Sequence, residues 1–266
     1  MSGPLNIAVR AARAAGDVIV RSMDRADGIS VSAKRHNDFV TNVDRQAEAT
    51  ILDILKSSFP DHGYLGEETG QTRADSVYQW VIDPLDGTTN FIHGFPQFAV
   101  SIALLVNGKP EVGVIYDPMR QELFTAAKGS GARLDDRKIR VSNTRDLQYA
   151  LVGTGIPYTD FEYLDDYLKM MRSVITQCSG IRRPGAAALD LAWLAAGRID
   201  AFWELQLKPW DFAAGALLVT EAGGVISDIN GAPLDILNRG HIIAGNPKTF
   251  SALMKAVGPY VPQDLR

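Results

Sequence analysis

Two aspartates, Asp83 and Asp86, lie three positions apart where a strand-like apolar run passes into a turn, in the segment WVIDPLDGTTNF. Pro84 disfavours a helical conformation at Asp83, and Gly87 permits a positive φ or a close backbone approach. The carbonyl group of Leu85 lies between the two carboxylates, so this short segment can offer several oxygen atoms to a hard cation. The competing interpretation is that both aspartates only stabilise a turn.

Two further acidic segments could complete such a site. Glu67 and Glu68 follow Gly66 in LGEETG, and Asp211 precedes a helical apolar pattern in PWDFAAGALLVTEAGG. Each has an ordinary interpretation of its own, because the glutamates can form a solvated loop and Asp211 can be a helix N-cap. The four histidines show no ligand spacing. Oxygen-only ligation favours Mg²⁺ or Mn²⁺ over zinc, and thereby indicates metal-assisted phosphoryl transfer.

The residues that follow the aspartates could bind an anion. Gly87, Thr88 and Thr89 could begin a short helix whose free N–H groups face a phosphate group. Thr88 also supplies a hydroxyl group that could orient a water molecule. The alternative is that Thr88 is only a helix cap or a turn residue.

The hydrophobic pattern predicts the elements that position these residues. Helical spacing predicts amphipathic helices from about 4 to 24 and from about 42 to 58, joined by a loop or short hairpin. Strands separated by short turns follow from 79 to 141 and predict an antiparallel meander. The second half alternates between strands near 150–154, 199–203, 224–228 and 241–244 and helices near 160–177, 185–196, 211–221 and 247–257.

The domain organisation follows from this order of elements. No Pro-, Gly- or Ser-rich linker separates the halves, so we expect one mixed α/β domain over residues 1–266. Its N-terminal, metal-binding half would span about 1–145 and its C-terminal α/β half about 146–266, with two sheets layered between helices.

The composition narrows the compartment and the classes of partner. The formal net charge is −4, from 27 Lys and Arg against 31 Asp and Glu, which provides no broad positive field for nucleic acid or an anionic membrane. Cys178 is the only cysteine, which fits a reducing compartment. Arginines interrupt the first apolar pattern, and no run reaches the roughly 20 apolar residues of a membrane span. We therefore expect a cytoplasmic protein without membrane contact or direct nucleic-acid binding.

Three segments together resemble the inositol monophosphatase family over nearly the whole chain: GEE at 66–68, WVIDPLDGTTNF at 80–91 and PWDFAAGALLVTEAGG at 209–224. The segments NDFVTNVD, DPMRQELFTA and AALDLAW look most like its bacterial SuhB branch. The resemblance implies a layered αβαβα sandwich, the sugar phosphatase fold shared with fructose bisphosphatases. It also implies Mg²⁺-dependent hydrolysis of a phosphate monoester, inhibition by Li⁺ and a homodimer.

The same resemblance implies the metal ligands. Glu67, Asp83 and the Leu85 carbonyl would hold a first Mg²⁺, and Asp83, Asp86 and Asp211 a second, with Asp83 bridging the two. A third, weaker Mg²⁺ would depend on Glu67 and water. The cations would clamp the phosphate group and activate a water molecule for in-line attack on phosphorus.

Further roles carry over by resemblance. Glu67 and Thr88 would position the attacking water, and Asp44 would pair with Thr88, although Asp44 could at the same time cap the second helix. The backbone N–H groups of Gly87 and Thr88 would hold the phosphate group. The mobile-loop lysine of the family is matched only approximately, by Lys34.

The alcohol part of the substrate is expected to meet Asp86, Glu204 and the segment Gly185-Ala186-Ala187. Ala186 stands where the family has Ser or Thr, so the preferred alcohol stays open. A solvated loop carboxylate is the competing interpretation of Glu204.

Two classes of function follow. The first is hydrolysis of inositol 1-phosphate, or of a related ester such as fructose 1,6-bisphosphate, a 3'-phosphonucleotide or histidinol phosphate. The second, implied by the SuhB resemblance, is a transcription antitermination factor that binds RNA polymerase. Arg182 and Arg183 are candidates for a partner contact, and exposed charges at a helix start are the alternative interpretation of this pair.

Overall fold

The computed structural model describes residues 3–23, 30–35, 38–157 and 159–266; for 33–35, 38 and 39 it describes the backbone alone. The α-helices in these ranges are α1 (Pro4–Met23), α2 (Asn42–Ser58), α3 (Thr88–Ile92), α4 (Leu164–Ile175), α5 (Ala187–Ala195), α6 (Pro209–Glu221) and α7 (Pro247–Val257).

The strands of the same ranges are β1 (Val31–Arg35), β2 (Asp38–Thr41), β3 (Gly63–Gly66), β4 (Gly70–Thr72), β5 (Tyr78–Asp86), β6 (Ala99–Val106), β7 (Lys109–Asp117), β8 (Glu122–Ala127), β9 (Gly131–Leu134), β10 (Arg137–Lys138), β11 (Leu151–Thr154), β12 (Gly180–Arg182), β13 (Ala201–Glu204), β14 (Val225–Asp228) and β15 (Ile242–Gly245). β1 and β2 form a separate antiparallel hairpin, as predicted.

The other strands form two sheets. The large sheet has the order β10-β9-β8-β7-β6-β5-β3-β4, and the small sheet has the order β12-β11-β13-β15-β14. Helices α1 and α2 pack on one face of the large sheet, α5 and α6 lie between the two sheets, and α4 and α7 cover the far face of the small sheet. The predicted αβαβα sandwich is confirmed.

Alternation along the strands builds these layers. Trp80 and Ile82 of β5 pack with the residues of α1 and α2, whereas Val81 between them packs toward α5 and α6. In the small sheet, Phe202 packs toward α5 and α6 and Trp203 packs on the opposite face. Because both faces of both sheets are covered, α5 and α6 are buried along most of their length, which explains their nearly continuous apolar sequence.

Most predicted elements are present, with some differences. The antiparallel meander is confirmed from β5 to β10, but β4, β9 and β12 were not predicted, and of residues 138–141, where the last strand of the meander was expected, only Lys138 lies in β10. β3 pairs with β5 in parallel, so the large sheet is not a pure meander. The missed strands have three or four residues each. That length is too short to display a period-2 hydrophobic pattern.

The chain passes from the large sheet to the small one between Lys138 and Leu151, which brackets the predicted boundary near residue 145. The single-domain assignment stays a prediction. Within the described ranges, no helix combines the length and the hydropathy that a membrane span requires.

Candidate active site

A β-bulge places Asp83 and Asp86 on the same side of the large sheet. In the pairing of β5 with β6, Asp83 lies opposite Ser101 and Asp86 lies opposite Ala99, so β5 has one residue more than its partner between these two pairs. Without the bulge, strand alternation would point residues three apart to opposite faces. The extra residue restores the phase, and both carboxylates line one cavity.

This cavity has a volume of about 480 Å³ and collects residues from distant parts of the chain. It lies beside the C-terminal end of β5, the start of α3 and the start of α6. The sequence-predicted site residues that line it are Glu67, Asp83, Leu85, Asp86, Gly87, Thr88, Gly185 and Asp211. Convergence of four acidic residues from three segments is not expected of independent turns and caps.

Backbone N–H groups hold three of the carboxylates in place. Asp83 Oδ1 accepts a hydrogen bond from the Leu85 N–H at 2.9 Å, and Asp86 Oδ2 accepts one from the Ala188 N–H at 2.7 Å, at the start of α5. Asp211 Oδ2 accepts one from the N–H of residue 208 at 2.7 Å. Each carboxylate therefore has a fixed orientation that does not depend on a flexible partner.

The interpretation of Asp211 as a helix N-cap is wrong. Helix α6 begins at Pro209 with Lys208 as its N-cap, so Asp211 is the third helical residue. Pro209 is the physical reason, because proline is favoured at the first helical position, where no N–H group is needed. From the third position, the Asp211 side chain reaches back to the Lys208 N–H group and still lines the cavity.

The carboxylates disturb each other electrostatically. Burial raises the pKa of Asp83 well above its usual value, and the charges of Glu67 and Asp86 raise it further. Burial, followed by the charge of Asp211, raises the pKa of Asp86 in the same way. Burial also raises the pKa of Asp211 to about 6, against the opposing effect of its backbone hydrogen bond. Such a cluster requires protons or a cation for stability.

The donor chemistry fits a hard cation. Glu67, Asp83, Asp86 and Asp211 offer carboxylate oxygen atoms, Leu85 has a backbone carbonyl group, and His93 lines the same cavity with an imidazole ring. Among the residues that the structure describes, no three His, Cys, Asp or Glu side chains form a ready-made metal cluster. A Mg²⁺ ion at this cavity would have to complete its shell with water and substrate phosphate, because Mg²⁺ takes few carboxylates.

Thr88 is linked directly to Asp44. The Thr88 hydroxyl lies 2.9 Å from Asp44 Oδ1 and 3.0 Å from the Leu85 carbonyl oxygen, and both of these atoms are acceptors. Asp44 Oδ2 accepts hydrogen bonds from the N–H and the hydroxyl of Thr41, the N-cap of α2. Asp44 is the third helical residue of α2 and, like Asp211 in α6, completes a capping box without being the N-cap itself; it contacts Thr88 at the same time.

Gly87 is required by the path of the backbone. It has a φ of 94° at the start of α3, and a Cβ atom would lie 2.8 Å from the carbonyl oxygen of Gln97. Both features exclude a side chain. Gly87 thus lets the chain turn directly from the bulge into α3, which places Thr88 on the cavity wall.

Glu48 is a functional candidate that sequence reasoning missed. Its carboxylate is fully buried and accepts hydrogen bonds from the Glu68 N–H at 2.8 Å, from the Thr69 N–H at 3.2 Å and from the Thr69 hydroxyl. A Cβ atom at Gly66 would collide with this carboxylate. Glu48 therefore fixes the loop that carries Glu67. A signal existed, because Glu48 lies on the apolar face of α2, one turn before Ile51.

A smaller cavity of about 80 Å³ adjoins the first one. The predicted residues Asp86, Gly185, Ala186, Ala187 and Glu204 all line it, so every predicted site residue except Asp44 lines one of the two cavities. Burial raises the pKa of Glu204 to about 8, and the charge of Asp211 contributes. Glu204 is the last residue of β13, is half-buried and lines this cavity, so the interpretation as a solvated loop carboxylate is wrong.

The structure places Arg183 at the candidate site but does not describe the side chain of Lys34. Arg183, considered above as a partner contact, lines both cavities and brings a positive charge to an acidic site. Lys34 lies in β1, but its side chain falls outside the described residues.

Comparisons with known proteins agree with this geometry. Residues 3–261 match the model of the inositol monophosphatase family. The chain is 54% identical over the whole length of both proteins to Nus factor SuhB of Pseudomonas aeruginosa. The crystal structure of the extragenic suppressor protein SuhB from Bartonella henselae superposes with a TM-score of 0.91 at 47% identity, over 95% of this chain and 97% of the other.

The inositol monophosphatase from Anabaena (Nostoc) sp. PCC 7120 gives a TM-score of 0.83 at 39% identity, over 98% of both chains. A family match across nearly all residues and a shared fold lead to one conclusion. The chain belongs to the inositol monophosphatase family.

Proposed function

We propose that this chain is a Mg²⁺-dependent phosphatase that hydrolyses the phosphate monoester of a polyol, with inositol 1-phosphate as the expected substrate. The observation that carries the proposal is the convergence of Asp83, Asp86 and Asp211 with Glu67 on one cavity. Membership of a phosphatase family supports the reaction class. The polyol follows from the family name and from the polar cavity that adjoins the acidic one.

The assignment of metal ligands rests on the oxygen donors of the cavity. Glu67, Asp83 and the Leu85 carbonyl would hold one Mg²⁺, and Asp83, Asp86 and Asp211 another; Mn²⁺ would fit the same donors. When bound, these ions would neutralise phosphate charge and lower the pKa of a water molecule. The backbone hydrogen bonds to Asp83, Asp86 and Asp211 keep the carboxylates oriented for this task.

The attacking water would be positioned by Thr88 and Glu67, with Asp44 orienting Thr88. When the Thr88 hydroxyl donates its proton to Asp44, its oxygen lone pairs stay available to accept a hydrogen bond from water. Asp44 is buried and already accepts two hydrogen bonds from Thr41, so it holds Thr88 in one orientation. The start of α3 at Gly87 and Thr88 would contact the phosphate group.

Release of inorganic phosphate from inositol 1-phosphate tests the proposal. The wild-type protein should release phosphate only with Mg²⁺, and Asp83→Asn should reduce the rate by at least about 10³-fold because one ligand of both ions is lost. Asp200→Asn is the matched control, since Asp200 is also buried but accepts its hydrogen bond from the Leu151 N–H, away from the cavity. A folded wild-type protein that hydrolyses no phosphate ester would refute the proposal.

Parallel assays would define the substrate within this class. The metal ligands are common to the reaction, whereas the residues around Glu204 select the alcohol. Fructose 1,6-bisphosphate, a 3'-phosphonucleotide and histidinol phosphate should therefore be compared with inositol 1-phosphate by kcat/KM. A clear preference for one of them would replace the expected substrate without changing the proposed chemistry.

A transcription role is a second candidate, because curated relatives at 45–54% identity are named Nus factor SuhB. We propose that the chain can also bind RNA polymerase as an antitermination factor, in the cytoplasm and as a homodimer. A pull-down with purified RNA polymerase, using wild-type and Asp83→Asn proteins, separates the two roles. Binding that survives the substitution supports two functions, and no binding by either protein removes this candidate.

A further inference from the structure

The smaller cavity adjoins the larger one and shares Asp86, Arg183, Gly185 and Asp211 with it. It has a volume of about 80 Å³, close to the share of liquid volume taken by two or three water molecules. Its wall includes Asp86 and Glu204, together with Ala186 and Arg183. A hydroxyl-bearing carbon of a bound alcohol would fit such a space.

Asp190 lies on the same wall and has no role in the site described above. It belongs to α5, is 1% exposed and lines the small cavity. Its Oδ1 atom has no hydrogen-bond partner among the residues that the structure describes. A buried carboxylate oxygen without a partner is costly, since burial removes its hydration and nothing replaces it. A ligand with a donor group would remove this cost.

Among the described residues, Asp228 Oδ2 also lacks a hydrogen bond, but the guanidinium group of Arg239 lies 3.6 Å from it, whereas two other buried aspartates are fully held. Asp117 accepts hydrogen bonds from the N–H groups of Met119 and Arg120, and Asp200 accepts one from the Leu151 N–H group. These two side chains stabilise loops and have a structural account. Asp190 is a buried residue in the first turn of α5, and its backbone N–H group donates a hydrogen bond to the Ala186 carbonyl. That backbone bond does not satisfy the side chain.

The chemistry of the wall indicates which group would enter. Carboxylate oxygens of Asp190 and Glu204 accept hydrogen bonds, and Arg183 donates them. A hydroxyl group can donate and accept, so it can satisfy both kinds of partner. Ala186 and Ala187 have no polar side-chain atoms with which a hydroxyl would compete. An aromatic or simple alkyl alcohol would leave the buried carboxylate unpaired.

We propose that Asp190 is a specificity-determining residue that accepts a hydrogen bond from one hydroxyl group of a polyol phosphate, in the small cavity that Asp86 also lines. This inference rests on the proposed phosphatase function and extends it to an assigned hydroxyl contact. It predicts discrimination between esters that differ by one hydroxyl group, because a buried polar group left unpaired rejects the analogue that lacks the partner.

The test compares inositol 1-phosphate with its monodeoxy analogues, one per ring position, in the wild-type protein and in Asp190→Ala. In the wild type, removal of one particular hydroxyl should lower kcat/KM by about 10- to 100-fold. In Asp190→Ala the ratio of kcat/KM between inositol 1-phosphate and that deoxy analogue should fall below about threefold, because the KM for inositol 1-phosphate rises. Asp190→Asn, which keeps an acceptor oxygen and the side-chain shape, should retain part of it.

Asp200→Asn is the control and should keep the wild-type discrimination. Equal treatment of all deoxy esters by the wild type would overturn the inference without any variant, and so would unchanged discrimination in Asp190→Ala. If the wild type releases phosphate from no ester, the proposed function fails and the inference fails with it. If it hydrolyses esters without hydroxyl discrimination, only the inference fails.

Discussion

The Thr88 hydroxyl group lies 2.9 Å from Asp44 Oδ1, which links the start of α3 to the start of α2 across 44 positions of sequence. Asp44 is held in turn by Thr41 through the capping box of α2. The orientation of a cavity-lining hydroxyl group thus depends on the cap of a remote helix. Asp44 therefore contributes both to the capping box of α2 and to the candidate site.

Replacement of Thr88 by valine tests this link. Thr88→Val keeps the side-chain shape but removes the hydroxyl group, so kcat for phosphate release should fall by about 10²- to 10³-fold while KM changes little. Thr220→Val is a control, because the Thr220 hydroxyl bonds only to the Ala216 carbonyl of its own helix. A kcat for Thr88→Val within threefold of wild type would show that the hydroxyl group does not act on the water.

Glu48 should act through the loop that carries Glu67. In Glu48→Gln, one amide hydrogen faces an N–H donor of Glu68 or Thr69, so the loop loses a buried acceptor at a cost of about 1–3 kcal/mol in unfolding free energy. We expect a higher Mg²⁺ concentration for half-maximal activity, by roughly tenfold, which saturating Mg²⁺ largely restores. Denaturant unfolding and a Mg²⁺ titration measure the two effects. Reduced stability with an unchanged Mg²⁺ requirement would leave Glu48 as a structural residue only.

The metal-free protein should become less stable as the pH rises. The folded-state pKa of Asp211 is raised from 3.8 to about 6 and that of Glu204 from 4.5 to about 8. A raised carboxyl pKa means that the folded state binds more protons than the unfolded state, so stability falls from pH 4 through pH 8. Thermal unfolding of the chelated protein between pH 5 and pH 8 should show this loss, and Glu204→Gln should reduce it.

A cation should reverse that trend. Mg²⁺ binds the ionised carboxylates, so it should raise Tm more at pH 8 than at pH 5, where protons compete for Asp211. An equal rise in Tm at both pH values would contradict the assignment of these carboxylates as ligands. Na⁺ or K⁺ at the same ionic strength serves as a control for general salt effects.

Gly87 should tolerate no side chain. Gly87→Ala combines a positive φ with a Cβ 2.8 Å from the Gln97 carbonyl oxygen, so we expect a loss of about 2–4 kcal/mol in unfolding free energy and a strong loss of activity. Gly108 has a φ of 73° with no atom near the position of its missing Cβ, so Gly108→Ala isolates the dihedral effect. It should cost about 1 kcal/mol and leave activity unchanged. Equal losses in the two variants would argue against a close approach at Gly87.

The sequence was informative wherever a residue's chemistry and its local pattern agreed. The long helices α1 and α2 follow from regular apolar spacing, and the turn at Asp83 and Asp86 follows from its proline and glycine. The roles of Glu48 and Asp190 did not follow, because each depends on a contact between segments far apart in the chain. Glu48 meets residues 68 and 69, and the cavity that Asp190 lines includes residues from β5 and β13.

Other differences between prediction and structure arise where the local sequence is compatible with two arrangements of the backbone. Asp211 precedes an apolar pattern as an N-cap would, but the helix begins at Pro209, so its N-cap is Lys208, three residues earlier. The bulge at Asp83 and Asp86 depends on pairing with β6, which a pattern confined to β5 cannot show. The start of α6 and the bulge in β5 depend on tertiary contacts, and both determine the orientation of the carboxylates.

The dependence of phosphate release on Mg²⁺ tests the central claim most directly. The initial rate of phosphate release from inositol 1-phosphate should vanish when the wild-type protein is treated with a chelator, and it should return on addition of excess Mg²⁺. Asp83→Asn should show no such recovery at any Mg²⁺ concentration that leaves Asp200→Asn fully active. A rate that persists in the chelator, or equal Mg²⁺ dependence of the two variants, would contradict a metal site built on Asp83.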